Sequence, residues 1–345
     1  MESPDYVKIS QASAIALGLM RGRMYRGAVN RCVNLLVHYR EGCSANCAYC
    51  GLAKKRPGTF RDKSFIHVTW PIYPLDEIID TIRHAPSYVK RTCISMITNG
   101  KCPRDTLEIA RRLNEETDLP VSVLVSPTII SREDLIGLER AGIDKIGVAV
   151  DLANQDLFDK YRGSGVSGPH RWEKYWEIID AGLEIFGRFQ VGAHLMVGMG
   201  ETEQDMVLLM GRLWDMGVVN HLFSFFPEEG SKLSDRPPPL WAAYLRIQLA
   251  RFLIEEGIGS PQDMAFDQRG RIVEFGMDGD SLMETIRQGR PFITTGCLGS
   301  DGQVACNRPF GNCLPDVKQW NYPYLPDEEE LCLICRYIFI PKPID

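Results

Sequence analysis

No apolar run in this 345-residue chain is long enough to cross a bilayer. The opening MESPDYVKIS also lacks the basic-then-apolar order of a secretion signal, so a cytoplasmic location is expected. A basic excess is missing too. Lys and Arg number 39 against 45 Asp and Glu, a net charge of -6, which argues against a dedicated nucleic-acid binder. No low-complexity stretch and no short solenoid period breaks the chain, and the Pro-rich run 236–240 reads as a helix entry, not a linker. What remains is one large domain, or a barrel with appendages, with 44% hydrophobic residues to fill its core.

Cysteine is absent from the first 31 residues, yet the chain holds 11. With no export signal, a reducing compartment favours metal ligation or catalysis over disulfides. Cys43, Cys47 and Cys50 form an early group; Cys297, Cys306, Cys313, Cys332 and Cys335 form a late one. Cys32, Cys93 and Cys102 stand outside both and read as core residues, since free cysteine is often simply buried.

Between the groups, strand and helix patterns alternate. Strands are predicted at 33–38, 93–99, 121–127, 145–151, 190–199 and 221–227, with weaker ones at 263–266 and 292–296. Apolar spacing of three and four residues predicts helices at 75–84, 105–116, 132–141, 171–186, 203–216, 241–256 and 281–288. Asn99-Gly100, Gly142, Gly217 and Ser131 before Glu133 and Asp134 punctuate these elements. Nearly continuous apolar strands separated by helices imply an α/β fold with a parallel sheet, either a full (βα)8 or a partial (βα)6 barrel. Its site belongs at the C-terminal ends of the strands. The expected division is a helical segment 1–30, the barrel 31–290 and a cysteine-rich extension 291–345.

The loop after the first strand reads Glu41-Gly-Cys43-Ser-Ala-Asn-Cys47-Ala-Tyr-Cys50. Three thiolates spaced CxxxCxxC can hold three irons of a [4Fe–4S] cubane and leave the fourth iron open to a small chelating cofactor. A zinc knuckle is the competing reading, but zinc favours a closed tetrahedral site built from two ligand pairs. The loop, with its aromatic Tyr49, resembles the signature of radical S-adenosylmethionine (SAM) enzymes. In that family the reduced cluster cleaves SAM to a 5′-deoxyadenosyl radical that takes hydrogen from substrate.

Later segments resemble the same family in order. ISMITNG, ending in Asn99 and Gly100, matches the second-strand segment that cradles the SAM amino group. GVAVD places Asp151 for ribose or amino contacts, GAHLMVGMGE places Met196 beside adenine, and HLFSFFPEEGS resembles the sixth strand of the biotin synthase and lipoyl synthase branch. Arg171 is the expected partner of the SAM carboxylate. His194 reads as a packed strand residue that could line the cavity. The resemblance covers roughly residues 30 to 260 of the chain.

The tail, GC…CNRPF…NYP, resembles biotin-synthase-related two-protein lipoyl synthases. That resemblance implies a second iron–sulfur cluster on the late cysteines, with one cysteine spare or with Ser300 or Arg308 taking part. A zinc ribbon from Cys306, Cys313, Cys332 and Cys335 is the alternative. Biotin synthase takes its second cluster's cysteines from several strands. The segments VSVLVSP and QVGAHLMVGM have none here, so biotin formation is not expected.

The implied function is insertion of sulfur into an octanoyl chain on a lipoyl carrier protein, shared with a homologous partner subunit and driven by a donor such as ferredoxin or flavodoxin. Two alternatives stay open: another radical SAM reaction with a relay cluster in the tail, and a non-enzymatic zinc- or cluster-binding protein. Carrier domains tend to be acidic, so Lys54-Lys55-Arg56 is a candidate basic rim, against an ordinary solvated loop. No membrane or nucleic-acid partner is expected.

Overall fold

Six strands lie parallel, each flanked by helices, in a computed structural model that describes residues 1–64, 68–307 and 321–339. In chain order the first elements are β1 (Tyr6–Ile9), α1 (Gln11–Ala16), β2 (Cys32–Val37), β3 (Ile72–Pro74) and α2 (Leu75–Arg83). Then follow β4 (Arg91–Ser95), α3 (Cys102–Glu116), β5 (Val121–Val125), α4 (Arg132–Arg140), β6 (Ile143–Asp151) and α5 (Gln155–Tyr161). Next come α6 (Trp172–Phe186), β7 (Val191–Val197), α7 (Glu203–Met216), β8 (Val218–Ser224) and α8 (Trp241–Glu255). The tail adds β9 (Ala265–Phe266), β10 (Ile272–Glu274), α9 (Gly279–Arg287) and α10 (Glu328–Ile338).

The sheet order is β3-β1-β2-β4-β5-β6-β7-β8. The six parallel strands are β2 and β4 to β8, so the barrel is of the partial (βα)6 kind. Antiparallel β1 and β3 extend its edge beyond β2. The first thirty residues therefore hold a strand as well as the expected helix. The segment 292–296 is no strand. It follows a 3-10 turn at Arg290–Phe292 and makes one isolated bridge, Ile293 to Tyr322.

Local signals explain the joints. Ser131 and Asp134 close a capping box on α4, and Thr202 and Asp205 do the same on α7. Gly217, in the left-handed region, ends α7 and lets β8 begin one residue later. Helix α8 is buried along its whole length from Tyr244 to Ile254, polar residues included. Arg246 pairs with Glu203 at 2.9 Å, and Gln248 and Tyr244 both donate to Asn321. The outer side of α8 is covered by α10, where Trp241 and Tyr337 lie 4.7 Å apart. Among the described residues no helix is long and apolar enough to cross a membrane.

Candidate active site

Side chains alternate across a strand, so the inward face of each barrel strand is a short column of residues. The upper layer is Leu36, Ser95, Leu124, Ala149, Met196 and Phe223. With Tyr49, Cys50 and Asp151 it lines a cavity of about 220 Å³ at the C-terminal ends of the strands. This is where a parallel α/β barrel places its chemistry.

The cysteine loop leaves β2 and bends over this cavity. Asn99 donates to the Gly42 carbonyl at 3.1 Å, and Ser44 N–H donates to the Thr98 carbonyl at 2.8 Å, tying the loop to the end of β4. Asn99 thus positions the loop, and neither it nor Gly100 lines the cavity. The Cys43, Cys47 and Cys50 thiols are within electrostatic reach of one another. Burial pushes the Cys47 thiol up to about 11, against an opposing pull from Arg162. Burial raises Cys50 as well, with Cys47 and Cys43 adding to it. Three neighbouring thiols carried by one loop are a soft donor set that fits the three protein-bound irons of a cubane.

Asp151 ends β6 with φ at +66°, next to a register shift in its pairing with β7. A non-glycine residue in that region is held there by its surroundings. Here the hold is an ion pair with Arg162 and a 2.6 Å hydrogen bond from the Tyr49 hydroxyl. Arg162 also donates to Tyr49 at 2.7 Å and to Tyr175 at 3.1 Å. A carboxylate, a guanidinium and the aromatic residue before Cys50 thus share one network beside the cluster loop.

Arg171 is not in this network. It is the exposed N-cap of α6, and Arg162 is the buried basic residue that lines the cavity. Sequence reading missed Arg162 because it follows α5, a short helix with little apolar periodicity. Met196 and His194 both line the cavity. Glu201 folds back onto the Gly198 and Met199 amides at 2.6 and 2.8 Å and shapes the turn after β7.

The late cysteines divide. Cys297 and Cys306 lie at the barrel floor, where they line a small second cavity with Cys93 and His221. Cys332 and Cys335 sit on α10, on the outside of α8, with Cys332 exposed. Ser300 is exposed and tied by its backbone to Lys90. Arg308 and Cys313 lie outside the described residues. Cys32 and Cys93, read above as ordinary core, instead gather with Cys306 in a cluster separate from the main apolar core. Their signal was positional: Cys32 and Asn34, and Cys93 and Ser95, recur at period two on inward strand faces. Cys102 stays a core residue at the start of α3. Among the described residues no three Cys, His, Asp or Glu side chains converge tightly around one point, so no group of them is a preformed site for a lone ion.

Relatives include biotin synthase of Persephonella marina, 24% identical over 207 residues covering 57% of each chain. Another is molybdenum cofactor biosynthesis protein 1 of Drosophila melanogaster, 23% identical over 175 residues, 49% of this chain and 28% of that one. The chain spans little more than half the length of the biotin synthases it matches. Solved structures that resemble it include methylornithine synthase, at TM-score 0.48 and 12% identity, covering 79% of this chain and 84% of that one. The FeFe-hydrogenase maturase HydG of Carboxydothermus hydrogenoformans matches at TM-score 0.48 and 14% identity, covering 87% and 74%. The radical SAM superfamily model matches residues 38–213, just over half of the chain and including the whole cysteine loop. The chain belongs to the radical SAM superfamily.

Proposed function

We propose that this radical SAM enzyme is a sulfurtransferase acting on an octanoyl chain carried by a lipoyl carrier protein, together with a homologous partner subunit. Cys43, Cys47 and Cys50 would hold a [4Fe–4S] cluster, which would supply reductive cleavage of SAM and so hydrogen-atom abstraction from an unactivated C–H bond. The chain's own residues hold the reacting groups in register. Tyr49, Asp151 and Arg162 brace the loop, while Leu36, Leu124, Met196 and Phe223 give the cavity walls suited to a hydrocarbon and shield it from water.

The observation that carries the reading is the stacking of two chemistries in one barrel. An apolar chamber lies beneath the cluster loop, and a group of buried thiols lies beneath that chamber. An acyl chain reaching down the barrel would present its C–H bonds between a hydrogen-atom acceptor and a sulfur-rich floor. Biotin synthase, also named for a sulfur-containing product, is among the relatives.

The test is anaerobic turnover of the reduced protein with SAM and an octanoyl-lysyl peptide, with and without the partner. Addition of a sulfur atom to the peptide, one 5′-deoxyadenosine per sulfur, supports the reading. Release of 5′-deoxyadenosine with the peptide returned as a methylated or rearranged product contradicts it and favours a relay role for the floor thiols.

A further inference from the structure

The barrel floor holds four thiols that the chain assembles from distant segments. Cys32 opens β2 and Cys93 lies on β4. Register pairs Asn34 with Cys93 and Leu36 with Ser95, and alternation puts both thiols on the inward face with the cavity-lining Leu36 and Ser95. Cys297 and Cys306 arrive from the tail, where the Cys306 amide donates to the Cys297 carbonyl at 3.3 Å. Gly296 permits that approach, since a Cβ there would stand 2.3 Å from the Cys306 carbonyl oxygen. Two contacts seat this segment against the strands. Leu222 N–H donates to the Thr295 hydroxyl at 3.0 Å, and Arg91, paired with Asp144, donates to the Leu298 carbonyl.

The thiols face one another. Asn34 Nδ2 lies 3.5 Å from Cys32 Sγ and 3.8 Å from Cys306 Sγ. Cys297 interacts electrostatically with Cys306 and Cys93, and Cys32 does so with the same two. Buried free cysteine often packs as a small hydrophobe. Here Cys32 and Cys306 lie beside Asn34, Cys93, Cys297 and Cys306 share a cavity with Ser122 and His221, and the positive charges of Arg91 and Lys145 act on Cys297. Thiolates on a cluster carry excess negative charge that such cations offset.

We propose that Cys32, Cys93, Cys297 and Cys306 ligate a second iron–sulfur cluster, enclosed beneath the active-site chamber. Leu124, His194 and Phe223 line both cavities, so the two adjoin. Four thiolates are the full complement of a cubane. The assignment takes two ligands from strands that sequence reading left as core, and it excludes Cys332 and Cys335, which α10 holds on the far side of α8. The cluster's role as sulfur store rests on the function proposed above; its ligand set does not.

The test is an anaerobic count of iron and acid-labile sulfide, with Mössbauer and EPR spectra, on wild type and three double variants. About eight irons are expected in wild type and in Cys332→Ala/Cys335→Ala, by the four-per-cubane count. About four are expected in Cys32→Ala/Cys93→Ala and, from the other segment, in Cys297→Ala/Cys306→Ala, again by that count. In those two the remaining EPR signal should still shift on adding SAM, which shows that the barrel has folded. Eight irons retained in either floor variant, loss in the α10 variant, or one zinc in place of the second cluster overturns the assignment. A floor cluster confirmed by these variants but keeping all its sulfide through turnover upholds the site and sinks the sulfur-insertion reading.

Discussion

Arg162 carries more of the site than its place in the sequence suggests. Its guanidinium is almost fully buried and joins Asp151, Tyr49 and Tyr175 in one network. Removing one partner of a buried pair leaves the other charge desolvated and unpaired, a loss of about 3–5 kcal/mol. Arg162→Met should therefore lower stability by about that much in urea unfolding. A loss under about 1 kcal/mol would mean that Asp151 is stabilised by other groups. His170 sits behind this network, accepting or donating at Tyr175 and Thr128. Burial first, and then Arg162, hold it down at about 2, so it stays neutral in the folded protein. The unfolded chain takes a proton there below about pH 6.5, so this stability is complete above that pH. It falls by up to about 1.4 kcal/mol for each unit of acidification below it. His170→Gln should flatten the loss of stability between pH 6.5 and 5, measured against wild type; parallel profiles would contradict the argument.

Among the elements, legibility followed periodicity. Helix α7 was readable residue for residue because its apolar spacing is flanked by a Thr202 cap and a Gly217 stop. The six parallel strands were readable because each is a short apolar run between helices. β1 was not, since four residues give little period and Lys8, fully buried, donates to the Phe60 and Arg61 carbonyls from the position of a core residue. The cysteine loop was legible from spacing alone. The floor was not, because its strand thiols and its tail thiols lie more than two hundred residues apart, and only the register of β2 on β4 and the approach of Cys306 to Asn34 bring them together. α10 shows the converse: its CxxC spacing suggests a metal ligand pair, but packing on α8 places it elsewhere. The element that decides the floor is the turn at Gly296. Gly296→Ala should displace Cys306 and remove the second cluster while the SAM-responsive EPR signal persists; an unchanged iron count would show that the tail can approach by another route.

At the scale of the molecule, the open (βα)6 barrel arranges a cluster loop above, an apolar chamber in the middle and thiols below. On the function proposed above, a carrier protein would deliver its acyl arm from the upper side, past the cluster loop. Lys54 and Lys55 are exposed just beyond that loop, while Arg56 turns inward onto the Gly51 carbonyl and Ser64. Lys54→Glu/Lys55→Glu is predicted to raise KM for an acidic octanoylated carrier several-fold, more at low salt, and to leave a short octanoyl peptide unaffected. Equal effects on both substrates would remove these lysines from carrier recognition. The central claim, that sulfur reaches the substrate from within this barrel, is tested most directly by the origin of the sulfur atom. The protein is loaded with clusters whose sulfide carries a heavy sulfur isotope and turned over once with SAM, octanoylated substrate and partner. The account predicts the heavy isotope in the product and a matching loss of sulfide from the floor cluster. A product that carries only sulfur of natural abundance, with the floor cluster intact, would contradict it.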